Sequence, residues 1–547
     1  MPPAKTKKTS SVTSDTLKPK KSVVSATTKN SSTTPSATKN SNDTSATTKK
    51  VNATTRKHSS KQPKPKNKAA AVQHVLFVGS ECTPFAGTGG LGEVLGSLPP
   101  SINAIPNTPY QASVIMPLYQ SVTQDVRASM QCVTNITVQL SWRKQYCGLF
   151  KYIVGNTTYY FIDNEYYFKR PNLYGYYDDN ERFSFFCKCV LEVLPYLDHM
   201  PNILHCNDWH TALVPIYYKL FFMHTKEYQN IRNLFTIHNI EYQGVFACET
   251  LEEVLGIPLS HYNSLEFNGC INLVKGALYY ADNLSTVSPT YAKELQDAFY
   301  AHGLQDAVKH NAHKMLGILN GIDTHVYNPQ TNPALFKHYC LQTFADKQQN
   351  KLGLQALLNL PVQQDIPMVG IISRLVGHKG LDLVCLAMDE LLKLNIQWVI
   401  LGKGEPEFEE YFTQVAASHP NKVSCIIDYD KDLSHKIYAA SDLFLMSSKS
   451  EPCGLSQMMA CRYGCVPIVR ATGGLADSIL HCGNGAEVGN GFVFSEYDAV
   501  SMMHTINKAV ALYTDHREAF NQLACRCMQS DFSWDKSAKE YVAFYNI

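Results

Sequence analysis

Short apolar runs that each end in a polar turn recur along residues 72–547, and they predict buried parallel strands. Residues 74–78 and 443–446 are two such runs. Segments with apolar residues at helical spacing come between them, for example Leu383, Ala387 and Leu391. Strand, turn, helix and strand in this order form the unit of a doubly wound α/β sheet, whose ligand sites lie beyond the carboxyl ends of the strands.

Two such domains, facing a cleft, are predicted. We place the first at residues 71–335 and the second at residues 336–530, with a final helix in residues 531–547 that packs back on the first domain. Alternating apolar and aromatic residues in the stretch 132–168 predict antiparallel hairpins added to the first sheet. The helix that follows the first strand is expected to end before Pro99.

The first 70 residues have a different composition from the rest. They are Ser, Thr, Lys, Asn and Pro with almost no large apolar residue, so they bury too little surface to fold and are predicted to be disordered. Three roles stay open: a solubilising tail, a basic arm that binds a polyanion or an anionic surface, and a plastid transit peptide. The protein is otherwise expected in the cytoplasm, because no apolar signal segment is seen.

Charge and cysteine usage narrow the class of protein. Residues 1–68 hold 16 Lys and Arg and two Asp, whereas residues 69–547 hold 33 basic and 45 acidic residues. An acidic folded part argues against nucleic acid as a partner of the core.

Seventeen cysteines without a secretion signal or zinc-ligand spacing predict reduced thiols and no metal. No run of 18 apolar residues is present, so no membrane span is expected.

A glycine-rich turn follows the first predicted strand and opens a helix. Its core is Gly87-Thr88-Gly89-Gly90, and free backbone N–H groups at such a helix start suit a phosphate. The pattern fits a phosphate or sugar-nucleotide loop as well as a nicotinamide site. A convincing acidic residue about 20 positions on, which the nicotinamide site needs, is missing.

The second half carries cations and a carboxylate beyond its strand ends. Arg374 and Lys379 follow one strand, and this pair suits a diphosphate, with Arg as a fork and Lys as a point charge. Glu451 follows another strand, and Thr472-Gly473 opens the next helix. The competing interpretation is that these are ordinary solvated loop residues.

Polar residues also follow two strands of the first half. Asp208 and His238 are expected at the crevice, although a histidine there is often structural. The aromatic and acidic stretch 172–182 has the residue types that recognise carbohydrate. It reads equally well as a loop with a helix N-cap at Asp178 or Asp179.

Eight segments together resemble the bacterial and plant glycogen/starch synthases, which are retaining glucosyltransferases of the GT-B fold. They are GTGGLGEVLGSLP (87–99), HCNDWH (205–210), TIHNIEYQGVF (236–246), TVSPTYAKEL (286–295), GILNGID (317–323), SRLVGHKGLDL (373–383), SEPCGLSQMMACRYGCVPIVRATGGLAD (450–477) and DFSWDKSAKEY (531–541).

The resemblance implies an ADP-glucose donor, an α-1,4-glucan acceptor and no bound cofactor. Arg374 and Lys379 would hold the diphosphate, and Glu451 would bind the glucose hydroxyls and stabilise an oxocarbenium-like state. The other implied residues fall into three groups. Asp208, His238 and Asn320 would line the sugar pocket; backbone N–H groups near Gly89, Gly90, Thr472 and Gly473 would assist at the phosphates; and Glu93, Cys453, Gly454 and Leu455 complete the donor site.

Two segments depart from the family pattern. Gly87 stands where the family usually has Lys, and Glu93 where it has Asp; Lys449 and Ser450 stand where it has Arg and an aromatic residue. Two alternatives to an ADP-glucose-dependent synthase therefore stay open: the same transferase with UDP-glucose as donor, and a catalytically weak glucan-binding scaffold.

Overall fold

The predicted alternation of strands and helices is present in the computed structural model, which describes residues 72–483 and 485–547. Two large sheets of mainly parallel strands organise these residues. The fold class predicted from the sequence, two doubly wound α/β domains, is therefore confirmed. The predicted disordered tail and its three open roles lie outside the described residues.

The first sheet has nine strands, seven of them parallel and the last two antiparallel. Its strands, in spatial order, are Met315–Gly317, Asn283–Thr286, Arg232–Ile237, Ile203–Asn207, Gln73–Val78, Tyr110–Pro117, Thr157–Asp163, Arg143–Val154 and Gln131–Leu140. The hairpins predicted in residues 132–168 are the last three strands of this order. A small antiparallel sheet consists of Val245–Ala247, Cys270–Asn272 and Glu266–Phe267.

The second large sheet has six strands, all parallel. Their spatial order is Val423–Ile426, Gln397–Leu401, Met368–Ile372, Leu443–Met446, Val466–Arg470 and Phe492–Phe494. Central strands of both sheets are buried over most of their length, as their apolar runs predict. We call residues 72–317 the first lobe and residues 347–529 the second lobe.

Helices connect the strands of each sheet. Those of the first lobe are Gly90–Ala104, Gln124–Ser129, Glu165–Phe168, Asp179–Val193, Leu213–Tyr217 with the π-helical turn Tyr218–Phe222, Thr250–Glu253, Tyr262–Leu265, Leu273–Tyr280, Pro289–Glu294 and Gln305–Asn311. Those that follow are Lys347–Leu357, Leu381–Leu391, Pro406–Ser418, Lys431–Ala440, Ser456–Arg462, Gly473–Ser478, Ala499–Asp515, Arg517–Gln529 and Trp534–Tyr545.

The predicted end of the first helix before Pro99 is wrong. The helix continues through Pro99 and Pro100 to Ala104. Leu98 and Ile102 on either side of the prolines are fully buried. Burial of this apolar face therefore outweighs the loss of two backbone N–H donors.

The final helix Trp534–Tyr545 packs against helix Gly90–Ala104. The hydroxyl of Tyr545 lies 2.8 Å from His205 Nδ1, and the Tyr110 hydroxyl donates to Asn546 at 3.0 Å. The domain boundaries at residues 335 and 530 stay predictions. Among the described residues, no helix is both long enough and apolar enough to cross a membrane.

Candidate active site

A cavity of about 880 Å³ lies where loops beyond the strand ends of both sheets meet. Eleven of the fourteen predicted site residues line it. These are Gly89, Gly90, Asp208, His238, Asn320, Arg374, Lys379, Glu451, Cys453, Gly454 and Leu455. A doubly wound sheet places its ligand sites at this edge, which explains why loops so distant in sequence converge here.

Lys379 and Glu451 form a nearly buried ion pair in the wall of the cavity. The Lys379 ammonium donates to both carboxylate oxygens, at 2.9 and 2.7 Å, and the Ser448 hydroxyl donates at 2.9 Å. Burial by itself raises the pKa of Glu451, but the ion pair and these hydrogen bonds outweigh it, so the pKa is lowered. Glu451 is therefore an anion at neutral pH, with a fixed orientation.

Arg374 is the second cation of the cavity, and its surroundings differ from those of Lys379. Its side chain is exposed at the cavity. Within the described part of the chain, it makes no salt bridge. Its guanidinium is thus available to an incoming anion, whereas the charge of Lys379 is shared with Glu451.

The backbone of Asp208 is strained. Its φ of 57° and ψ of 178° lie in a region that is essentially restricted to glycine. The carboxylate accepts hydrogen bonds from the backbone N–H groups of His238 at 2.7 Å and Asn239 at 3.4 Å. These bonds join the loops after two neighbouring strands, and non-glycine strain of this kind is typical of functional sites.

His238 is a neutral imidazole in this site. Burial lowers its pKa to about 3. Its Nε2 lies 2.9 Å from Asn207 Oδ1, and the Asn207 amide group donates to two backbone carbonyls. Because Asn207 Oδ1 only accepts, Nε2 carries the proton and donates it. His238 therefore offers the cavity a polar neutral ring.

Burial raises the pKa of the Asp208 carboxyl to about 7 from its ordinary value of 3.8. The unfolded chain releases this proton near pH 4 and the folded protein near pH 7. The free energy of unfolding should therefore fall as the pH rises between these values. We expect this contribution to vanish in Asp208→Asn. Urea unfolding of both proteins at pH 5 and pH 7.5 measures it, and an equal pH dependence in the two would contradict the assignment.

The glycine-rich loop opens onto the cavity as expected. A Cβ atom on Gly89 or Gly90 would have no atom within 4 Å. The loop is held by Glu81, which accepts from the N–H and the hydroxyl of Thr88, both at 2.7 Å, and from the Tyr174 hydroxyl at 2.7 Å. An anion can thus approach the loop backbone closely.

The two departures from the family pattern have different surroundings. A Cβ on Gly87 would lie 3.7 Å from Glu81 Oε2, so a side chain at this position would begin beside the Glu81 carboxylate. In its absence, the hydrogen bonds of Thr88 and Tyr174 satisfy this carboxylate. The Lys449 ammonium lies 5.3 Å from the Phe299 ring centroid, outside the cavity wall, which Ser450 does line.

Three predicted residues do not line the cavity: Glu93, Thr472 and Gly473. The Gly473 N–H and the Thr472 hydroxyl donate to Glu294 of the first lobe, at 3.0 and 2.9 Å. Gly473 has a φ of 42°, and a Cβ there would lie 2.0 Å from the carbonyl oxygen of Glu451. The Gly473 N–H therefore makes a hydrogen bond between the two lobes. Because Gly473 has no side chain, its backbone can pack closely against that of Glu451.

Glu93 lies on the first helix, with Lys431 and Asp323 as its charged neighbours. Burial raises its pKa, and Lys431 opposes this shift. Glu93 does not line the cavity, although Gly90, three positions earlier, does.

Several wall residues were absent from the predicted set. Glu81, Tyr174, His210 and His378 line the cavity. His210 and His378 lie within two of the family-like segments, 205–210 and 373–383, next to Trp209 and Lys379. Their position in these motifs is the signal by which the sequence could have identified them. Burial lowers the pKa of His378, and Lys379 and Arg374 lower it further.

Four direct hydrogen bonds hold helix Pro289–Glu294 of the first lobe to the second lobe, in addition to the bond to Gly473. The Ser288 hydroxyl donates to the Pro452 carbonyl at 2.7 Å. Thr290 donates to Asp477 through its N–H and its hydroxyl, both at 2.7 Å, and Thr472 donates to Glu294. Because the Gly474 N–H donates to the Glu451 carbonyl at 3.1 Å, this contact supports the Glu451 loop.

Glu294→Ala should therefore lower the turnover number of the protein. Loss of two hydrogen bonds to Thr472 and Gly473 loosens the loop that orients Glu451, and we expect a decrease of roughly 10-fold in kcat. Steady-state kinetics beside Glu410→Ala, which removes an exposed carboxylate of the second lobe, provides the comparison. Equal kcat values for the two variants would show that the contact does not position the loop.

Known families match both lobes. Residues 74–310 match the family described as "Starch synthase catalytic domain", and residues 359–524 match "Glycosyl transferases group 1". A glycogen synthase of Alkaliphilus metalliredigens is 44% identical over 86% of this chain and 99% of its own length. One from Geobacillus thermodenitrificans is 43% identical over 86% of this chain and 97% of its own length.

Solved structures agree with these sequence matches. The catalytic domain of starch synthase IV from Arabidopsis thaliana, bound to ADP and acarbose, has a TM-score of 0.80 and 33% identity, covering 87% of this chain and 99% of that one. A sucrose-phosphate synthase from Thermosynechococcus elongatus has a TM-score of 0.55 at 16% identity, covering 87% and 98%, and shares the fold.

Proposed function

Because this chain belongs to the glycogen/starch synthase family of glycosyltransferases, we propose that it transfers glucose from ADP-glucose to the non-reducing 4-hydroxyl of an α-1,4-glucan with retention. The observation that carries this proposal is the meeting of Arg374 and the Lys379–Glu451 pair in one cavity wall. The related starch synthase IV structure, bound to ADP and acarbose, supports both the nucleotide and the glucan.

The donor diphosphate is assigned to the cations and the glycine-rich loop. Arg374 binds it as a fork, and Lys379 adds a point charge from the side of Glu451. The open backbone at Gly89 and Gly90 faces the same cavity. Together these groups stabilise the negative charge that develops on the phosphate as the glucosyl bond breaks.

The glucosyl group is assigned to the anionic and neutral polar groups. Glu451 accepts from its hydroxyls and stabilises the positive character of the ring in the transition state. Asp208, His238 and Asn320 line the remaining wall. Positioning of the donor and acceptor together supplies much of the rate.

Retention is proposed to proceed by front-face attack. The bond between glucose and phosphate breaks, the acceptor 4-oxygen bonds to the same face, and its proton passes to the leaving phosphate. Three carboxylates of the cavity wall are already engaged, which favours this route over a covalent intermediate at any of the three. Glu451 is tied to Lys379 and Ser448, Asp208 accepts two backbone N–H groups, and Glu81 accepts three hydrogen bonds.

The test is incorporation of labelled glucose into glycogen from ADP-glucose and, separately, from UDP-glucose. Glu451→Ala serves as the control. Transfer from ADP-glucose that is lost in the variant is the expected result. Transfer from UDP-glucose alone would keep the proposed mechanism and change the donor. If glucose were transferred from neither donor, the glucan-binding scaffold would be favoured instead. Sensitivity of the product to an α-specific amylase tests retention.

A further inference from the structure

His378 lines the cavity, but the proposed mechanism assigns no role to it. It lies in the short turn Gly377–Lys379, four positions after Arg374 and directly before Lys379. Both cations act on its imidazole ring, because their positive charges lower its pKa. An anion that is bound by Arg374 and Lys379 together is therefore within electrostatic reach of this ring.

The backbone around His378 is held by the neighbouring loop that leads to Glu451. The Lys449 N–H donates to the His378 carbonyl at 2.9 Å, and the Ser447 hydroxyl donates to the Gly380 carbonyl at 2.8 Å. Gly380 has a φ of 70°, and a Cβ there would lie 2.0 Å from the carbonyl oxygen of Ser447. The turn thus packs closely against this loop, which fixes the position from which the His378 side chain extends.

The ring of His378 is available to a ligand. In the part of the chain that the structure describes, neither ring nitrogen has a hydrogen-bond partner, and neither is completely buried. Two other histidines of the cavity are engaged: His238 bonds to Asn207, and the His210 ring stacks on that of Tyr174 with the centroids 4.5 Å apart. His378 can therefore offer a nitrogen to the cavity without breaking a contact.

The charges of the cavity wall do not balance those of a diphosphate. Among the described residues, the charged side chains of the second-lobe wall are Arg374, Lys379 and Glu451, which give one net positive charge. The first-lobe wall adds carboxylates but no Lys or Arg. Because each phosphorus of a sugar nucleotide carries one negative charge, the bound donor would leave the second-lobe wall with one net negative charge. Protonation of His378 would neutralise it.

Four charged side chains from three loops act on His378. Arg374 and Lys379 of its own loop oppose its protonation, whereas Glu241 of the first lobe and Glu451 of the second lobe favour it. Burial and the two cations prevail in the protein alone, so the pKa of His378 is lowered from its ordinary value of 6.5. An anion on Arg374 and Lys379 cancels their repulsion and leaves the attraction of the carboxylates, which reverses the direction of the shift.

We propose that His378 is a further donor-binding residue, which takes up a proton from the solvent when the diphosphate of the nucleotide sugar binds and then holds this diphosphate as an imidazolium. The identity of the donor rests on the proposed function. No bond of the donor breaks in this step. In the transfer that follows, the imidazolium stabilises the negative charge that develops on the leaving phosphate.

Proton uptake makes the affinity for the donor depend on pH. The complex holds the proton of His378 more tightly than the free protein does, so the affinity falls as the pH rises through the pKa of His378 in the complex. The charge of the donor stays constant between pH 6 and pH 8. It has no second ionisation of the kind that a phosphate monoester shows at about pH 6, so a sugar nucleotide is a better probe than a free nucleotide.

Asp208 has to be separated from His378, because it lines the same cavity and has a pKa of about 7. Loss of its proton would also weaken the binding of an anion as the pH rises. Asp208→Asn removes this second titration. His378→Gln, made in the Asp208→Asn background, then removes the imidazole while a polar side chain of similar length remains.

The experiment is titration calorimetry of the full-length protein with ADP-glucose and, separately, with UDP-glucose, in the absence of glucan. Two buffers with different heats of ionisation are used at each of pH 6, 7 and 8, so that the protons taken up are counted. Asp208→Asn is compared with the double variant Asp208→Asn/His378→Gln. The matched control is Asp208→Asn/His504→Gln, because His504 is exposed on the second lobe and does not line the cavity.

Asp208→Asn and its His504→Gln derivative should take up protons on binding the donor, and their Kd should rise about 3- to 10-fold from pH 6 to pH 8. The derivative with His378→Gln should take up none, and its Kd should change by less than about 2-fold. Equal proton uptake with and without His378 would overturn the proposal. So would a Kd that increases in His378→Gln by the same factor at every pH, because such a change indicates a structural role alone.

Failure of the proposed function gives a different pattern. Calorimetry without glucan requires no turnover, so a protein that transfers glucose from neither donor can still show proton uptake that depends on His378. That result would support the donor-binding role and contradict the synthase activity. Binding of neither nucleotide sugar would overturn the donor-binding role, whatever the transfer assay shows.

Discussion

Glu451→Gln should lower kcat by roughly 10²–10³ while the KM for glucan stays nearly constant. The substitution keeps the size of the side chain and removes its charge. In the protein, that charge is held by Lys379 at 2.7 and 2.9 Å and by Ser448 at 2.9 Å. An anion fixed in this way stabilises positive charge on the sugar in the transition state more than in the ground state.

Stability has to be separated from catalysis in this variant. Loss of the carboxylate leaves Lys379 without its anionic partner and should destabilise the fold by roughly 1–3 kcal/mol. Urea unfolding measures this effect, and kcat is compared at a temperature where both proteins are folded. The double variant with Lys379→Ala should lose less than the sum of the single effects, because the two groups act as a pair. A kcat within a factor of three of the original protein would contradict the assigned role.

Arg374→Ala should lower kcat/KM for the donor by roughly 10²–10³. Arg374 is exposed at the cavity and makes no salt bridge within residues 72–483 and 485–547. Its whole charge is therefore available to the diphosphate, in contrast to that of Lys379. Arg374→Lys should recover part of the activity, because a point charge returns without the forked hydrogen bonds.

Donor kinetics at fixed glycogen measures this effect, and Lys403→Ala is the control. Lys403 follows the neighbouring strand and is exposed, but does not line the cavity. Its removal should leave the donor KM unchanged. If Arg374→Ala and Lys403→Ala behaved alike, the diphosphate would have to be held by Lys379 and the loop backbone instead.

Local pattern was sufficient for the order of strands and helices. Apolar runs such as Leu443–Met446 favour buried strands, because a sheet covered on both faces buries both sides of a short run. The site predictions that hold geometrically follow from the same rule. Asp208 and His238 directly follow strand ends, and Arg374 and Glu451 lie two and five positions beyond theirs. Parallel strands bring their ends to one edge of the sheet, where all four residues line the cavity.

Long-range contacts decided the features that the sequence did not predict. The helix through Pro99 persists because Leu98 and Ile102 are buried by elements distant in sequence. The N–H of Gly473 is taken by Glu294, 179 residues away. Tyr174 and Glu81 meet in the cavity wall although 93 positions separate them. A spacing rule within one segment contains no information on such partners.

The sequence by itself determined the fold class, the family and the residues that follow the strand ends, because periodicity and local motifs are properties of neighbouring positions. Only the tertiary structure decided which of those residues share a wall, how each is charged and which backbone groups remain free. Asp208 shows the reason. Its strained φ of 57°, its raised pKa and its bonds to His238 and Asn239 all depend on burial between two loops, and burial exists only once the chain has folded.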